Sequence, residues 1–192
     1  MAEKNQKRKD ILTSAKTLFN EKGFHNTKME EIAVRAGVGK GTLYEYFKSK
    51  QDIFDESCIA NVFLIKEGIK EISNKDISFK EKLVEIFDRK EKSMKCEDIS
   101  IDGMLSHKNI ISEKVVKTML GHISDMYEII IKIIDQGKQE GVVIKNIPSE
   151  VIACTVIGTM GEYYRLKLFK DDNQIIDKSV LFNLFFNGFG VK

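Results

Sequence analysis

The stretch GVGKGTLYEYFKSK, residues 37–50, gathers the side chains of this chain best suited to a binding chemistry. Gly39 and Gly41 flank Lys40, and Thr42, Tyr44, Tyr46, Lys48 and Lys50 follow. Leu43 and Phe47 sit four apart, as on one buried face of a helix. Glycines at the amino end of a helix let the backbone approach another surface closely. The N–H groups left open there, with the positive end of the helix dipole, favour an anion. Lysines on both flanks add charge, and tyrosine offers a ring for thymine methyls and a hydroxyl for phosphate. The chemistry these residues suggest is non-covalent contact with phosphates and base edges.

Other constellations are weaker. Cys58, Cys96 and Cys154 are far apart and form no Cys-x-x-Cys pair. His107 and His122 lack a third ligand at a diagnostic spacing, so no metal site is expected. There is no Gly-x-Ser-x-Gly, no P-loop and no dinucleotide fingerprint after a strand. The chain therefore reads as a non-enzyme, and no cofactor is expected. Charge is uneven: residues 1–50 hold 11 Lys/Arg against 6 Asp/Glu, and the remainder 20 against 23. A basic head on a mildly acidic body suits a polyanion contact at one end. The amino terminus MAEKNQKRKD lacks the apolar run of a secretion leader. No apolar stretch approaches the roughly 20 residues of a membrane span, so a cytoplasmic protein is expected.

The elements that must position residues 37–50 follow from periodicity. With 192 residues, one proline and long apolar stripes, an all-α chain of about nine helices is expected. Ile11, Ala15, Leu18 and Phe19 place a helix over about Lys7–Lys22, stopped by Gly23. Thr27 and Glu30, at capping-box spacing, open a second helix whose inward face is Ile32, Ala33 and Ala36 and whose stop is Gly37. The third runs over about Gly39–Phe47. Ser49 with Asp52 opens a fourth, striped by Phe54, Cys58, Val62, Ile65, Ile69 and Ile72. Ser78 with Glu81 opens a helix carrying Phe79, Leu83, Ile86 and Phe87. CEDISIDGMLSHKNI is less regular and has room for a short helix. A long helix follows over about Ser112–Gln139, with Val116, Met119, Leu120, Ile123, Tyr127, Ile130 and Ile134 inward and Gly141 as its stop. Two more are expected, from near Pro148 to about Phe169 and over about Gln174–Phe186.

One helix followed by two short ones across the tight turn AGVGKG is helix-turn-helix grammar. The ordered segment TKMEEIAVRAGVGKGTLYEYFKSKQDIF, preceded by LFNEKGF, resembles the TetR-type transcriptional repressors. The resemblance covers about the first 55–65 residues. It implies a DNA-binding domain over residues 5–65, including the start of a linker helix, and an effector-binding and dimerisation domain over 66–192. It implies phosphate contacts from Thr27, Lys28 and Lys50. Gly39, Lys40, Gly41 and Thr42 match the amino end of the recognition helix. Tyr44 and Tyr46 match positions that meet backbone or base, and Lys48 adds flanking charge. Gly39 stands where many members have serine, which puts a hydroxyl contact in doubt. Glu45 faces outward, to accept from a cytosine amino group or to pair with a nearby lysine.

For the remaining two-thirds the resemblance implies a small-molecule effector and a homodimer on a palindromic double-stranded operator, with release on effector binding. Candidate pocket residues are Phe63, Met94, Met104, His107, Met119, His122, Met126, Tyr127 and Tyr163. Each of these also reads as plain core. The dimer is expected through the last two helices, at Gly158, Gly161, Phe182, Phe185 and Phe186. A helical DNA-binding or protein-interaction module without a ligand is the other reading.

Overall fold

The computed structural model describes residues 2–95, 111–167 and 177–188. Among them are eight helices and no strand: α1 (Ala2–Lys22), α2 (Met29–Arg35), α3 (Lys40–Tyr46), α4 (Lys50–Ser73), α5 (Phe79–Lys95), α6 (Glu113–Gln139), α7 (Ser149–Lys167) and α8 (Lys178–Gly188). The irregular stretch after α5, with Cys96, Met104 and His107, lies outside the described residues, as does the side chain of Met94.

Local signals set most helix ends. Asp52 accepts from the backbone N–H of Ser49, whose hydroxyl in turn accepts from Asp52 N, both at 3.1 Å. Ser78 and Glu81 form the same reciprocal cap at the start of α5. Gly37 closes α2 at φ +66°, a conformation that a side chain would strain. Two ends differ from expectation. α1 starts five residues early, because polar helix formers extend it without adding to its apolar stripe, and Gln6 bonds Asp10 one turn on at 2.8 Å. α2 starts after Lys28 rather than Thr27. Lys28 is the extended residue (φ −109°, ψ 149°), and Glu31 accepts from its backbone N–H at 2.7 Å.

The chain divides into two compact units. The amino-terminal unit takes Met1–Ile65 and the described part of Met94–Ile123. Its core joins Ile11, Ala15, Leu18 and Phe19 of α1 to Ile32, Ala33, Leu43 and Phe47. Ile53, Phe54, Cys58 and Val62 of α4 complete it, with Ile111, Val115 and Met119. Phe54 meets Phe19 edge-on at 5.5 Å and Phe24 at 5.0 Å. Cys58 is wholly buried, and burial pushes its thiol up to about 12. Cys154 is exposed. Iodoacetamide at about pH 8, near the ordinary thiol range, is therefore expected to modify Cys154 and spare Cys58 in the native protein at concentrations too low for two copies to associate. Peptide mapping by mass spectrometry checks this. Equal labelling of both would show that the α4 seam opens.

The second unit takes Lys66–Ser93 and the described part of Ser124–Lys192. Phe79, Leu83, Ile86 and Phe87 of α5 are buried with Tyr164 of α7 and Phe185 of α8. The Tyr164 hydroxyl donates to the Phe87 carbonyl at 2.7 Å, which satisfies a buried polar group, and burial raises its pKa. A Cβ on Gly137 of α6 would lie 2.7 Å from the Phe79 ring and from Val143, so α6 needs glycine for close packing there. The inward stripe of α6 is Val115, Met119, Met126, Ile130, Ile133 and Ile134. Leu120, expected inside, is 52% exposed, because the stripe lies about one residue to its side.

Candidate nucleic-acid interface

α3 packs on the head through a narrow buried face. Leu43 is fully buried and Phe47 nearly so, which turns Tyr44 and Glu45 to solvent and leaves Thr42 and Tyr46 half-buried. Gly39 caps the helix in an extended conformation, φ −68° and ψ 152°. Nothing among the described residues asks for glycine here. A Cβ on Gly41 would meet no atom within 4 Å, and one on Gly39 would meet only the Thr42 hydroxyl, at 4.0 Å. Both glycines are exposed beside exposed Lys40. The amino end of α3 thus presents bare backbone to the outside with no internal packing reason to do so.

The cations around it are not equivalent. Lys28 and Lys48 are exposed at the edges of the helix-turn-helix. Lys40 is held by Glu30 of α2 at 2.7 Å, which keeps the Glu30 carboxyl below its usual range and raises the Lys40 ammonium. Lys50 is different. Its Nζ donates to the carbonyls of Phe24 (2.5 Å), His25 (3.1 Å) and Thr27 (2.7 Å) and sits 4.5 Å over the Phe24 ring. Three protons are spent on three carbonyls, and desolvation lowers the pKa of the ammonium. Lys50 is therefore an internal staple from the start of α4 to the turn before α2, which corrects the phosphate contact expected of it.

Thr27 is also corrected. It is 1% exposed, and its hydroxyl donates to Leu18 O (3.3 Å) and Gly23 O (2.9 Å), so it closes the turn rather than facing a ligand. Glu45 is exposed, and no ion pair among the described residues includes it. A second staple went unnoticed in the sequence. Arg8 of α1 forks onto Glu56 of α4, with Nε to Oε1 at 2.7 Å. It also donates to the Tyr46 carbonyl at 3.4 Å and lies 4.5 Å over the Phe47 ring. Its partners are 38 and 48 residues away, so no local spacing could have revealed it.

The described pocket candidates are shared between the two units. Met119 is core of the first unit, and Phe63, 44% exposed, meets His122 edge-on at 5.7 Å there. Met126 and Tyr163 are buried in the second unit, and Tyr127 is half-buried. None of them lines the cleft of about 310 Å³ in the second unit, whose walls carry Lys66, Lys70, Lys132, Glu67, Asp125 and Glu128. On α8 the aromatic face turns inward. Phe185 is 2% exposed, and the Phe87 ring lies 5.0 Å from Phe182 and 6.0 Å from Phe185. Phe186 packs on Phe79 at 6.2 Å. Phe185 is core, which corrects its expected place on a dimer surface, while Phe182 and Phe186 are half-buried in the single chain. The outward residues are Val180 and Leu184, 52% and 60% exposed. On α7 Gly158 is exposed, Gly161 is half-buried, and neither has an atom within 4 Å of an added Cβ. Among the described residues no helix is long and apolar enough to cross a membrane, and no group of three or more His, Cys, Asp and Glu is placed to hold a metal ion.

Known proteins share this head. Residues 11–57 match the family model of bacterial regulatory proteins, tetR family. The fatty acid metabolism regulator protein of Bacillus subtilis (strain 168) is 37% identical over 75 residues, covering 37% of this chain and 39% of that protein. The sequence match thus spans about two fifths of the length of such curated relatives. The solved transcriptional regulator FadR from Bacillus subtilis, in complex with stearoyl-CoA, is similar over 93% of this chain and 95% of that one, with TM-score 0.66 and 22% identity. A regulator of the TetR/AcrR family from Thermobifida fusca is similar over 94% and 97%, with TM-score 0.72 and 23% identity. At these identities the two structures establish likeness of fold.

Proposed function

We propose that this chain, whose residues 11–57 match the family model of bacterial regulatory proteins, tetR family, is a sequence-specific DNA-binding transcriptional regulator. In this reading it is a repressor that holds a palindromic operator as a dimer and leaves it when a small molecule binds. The bare amino end of α3 carries the reading: Gly39 and Gly41 are open although nothing among the described residues needs them. α3 is the reading helix, with Tyr44 and Thr42 toward bases. Lys28, Lys40 and Lys48 meet phosphates, which position the head without reading sequence. The test is binding to the DNA upstream of the protein's own coding region, at fixed salt and against competitor DNA. Tyr44→Ala is expected to cost about 1–3 kcal/mol on that site, and Lys48→Ala to weaken all sequences alike while lowering the salt slope by about one. Binding no better than to competitor DNA would count against a site there.

Two half-sites one turn apart, roughly 34–36 Å, call for a two-fold dimer. Val151, Cys154 and Gly158 form an exposed stripe at spacings of three and four on α7, and Val180 and Leu184 form another on α8. These faces are the proposed contact between two copies. Cys154 should then lose reactivity as protein concentration rises through the dimer transition followed by sedimentation. The effector class to screen first is long-chain acyl-CoA, because FadR of Bacillus subtilis shares the fold and is held with stearoyl-CoA. Loss of operator binding on adding it is the expected result. A DNA binder without a ligand is the second reading, favoured by the burial of Met119, Met126 and Tyr163 as core.

A further inference from the structure

The acids on the solvent face of α2 and its neighbour are engaged. Glu31 pairs with Lys22, Glu21 with Arg35 at 2.6 Å, and Glu30 with Lys40 at 2.7 Å. Of these three cations only Lys40 stands at the amino end of α3, between the two bare glycines. The first two pairs join α1 to α2, so they hold the head together. The third joins the first turns of α2 and α3, the two edges that would approach a duplex.

We infer that Glu30 is an internal competitor for Lys40, holding it in the free head as a phosphate would, and so weakens binding to duplex DNA of any sequence. The inference rests on the DNA-binding reading above. To reach a DNA phosphate, Lys40 must leave Glu30. The carboxylate is then left beside a polyanion without its counter-charge. Both effects oppose phosphate contact at this point whatever the base sequence. The acid thus lowers the affinity for specific and non-specific duplex alike and leaves their ratio unchanged. The pair contributes little to the fold, because its side chains are 55% and 62% exposed. A change here therefore reads out on DNA rather than on folding.

Wild type, Glu30→Gln, Lys40→Ala and the double variant should be titrated by fluorescence anisotropy. The probes are a random-sequence duplex and the specific fragment, from about 50 to 200 mM salt. Glu30→Gln is expected to bind the random duplex about three- to tenfold tighter, with the log–log salt slope steeper by about one. The gain on the specific fragment should be of similar size. In the Lys40→Ala background the same change should give clearly less. No gain on either DNA, or a gain that persists undiminished without Lys40, would each overturn the inference. Absence of salt-dependent binding in all four proteins would instead overturn the DNA-binding reading itself.

Discussion

Gly41→Leu is expected to leave the head folded and to remove most of its affinity for duplex DNA. The position is open: a Cβ there meets no atom of the protein within 4 Å, so the larger side chain has room. Glycine inside a helix is unfavourable by up to about 1 kcal/mol against alanine, so Gly41→Ala should melt at the same temperature or slightly higher. On DNA the direction reverses. A side chain wedged between the helix end and a phosphate ridge acts as overpacking, which costs about 1–3 kcal/mol, or about 5- to 150-fold in affinity. The leucine variant should sit at the upper end and the alanine variant near the lower. Thermal melting and anisotropy on the same samples check this. If affinity simply follows melting temperature, the glycine does not serve close approach.

Lys50→Met should do the opposite: it is expected to damage the fold first and DNA binding only as a consequence. Three carbonyls of the turn before α2 converge on one ammonium. Hydrogen bonds to a charged group are worth about 1.5–3 kcal/mol each, though not additively. Methionine keeps the stem over the Phe24 ring and removes only the donors. A loss of about 2–4 kcal/mol follows, and at about 2–4 °C per kcal/mol for a chain of this size the melting midpoint should fall by about 4–16 °C. A residue whose work is to touch phosphate would behave differently. Its loss would leave the melt unchanged and lower the salt slope by about one. That outcome would restore Lys50 to the DNA-contacting set.

These two residues also mark where the sequence was readable. Caps and stops are local chemistry, and Ser49 with Asp52, Ser78 with Glu81, and Gly37 stand where spacing placed them. Core faces follow a period, and the stripes of α1, α4 and α5 are buried almost as expected. Lys50 was not readable, because a four-carbon stem reaches a phosphate or a carbonyl with equal ease. Only the return of the chain, 23–26 residues apart, brings the carbonyls within range. Thr27 misled for a related reason. Its spacing to Glu30 fits a cap, but the buried carbonyls of Leu18 and Gly23 take its hydroxyl first. On α8 the apolar residues run nearly all round, so periodicity could not say whether Phe182, Phe185 and Phe186 or Val180 and Leu184 face inward.

The core of the amino-terminal unit includes Ile111, Val115 and Met119, more than 45 residues beyond Val62 in the chain. The head is therefore not a portable cassette. A graft that moves only residues 1–65 onto another body leaves behind three buried side chains worth about 1.5–3 kcal/mol each. Two routes remain for a working chimera. The recipient must supply apolar residues of similar shape at that seam, or the exchange must be limited to surface positions of α3. The second is the conservative way to retarget this protein: rewrite Thr42, Tyr44 and Glu45 and leave the scaffold as it stands.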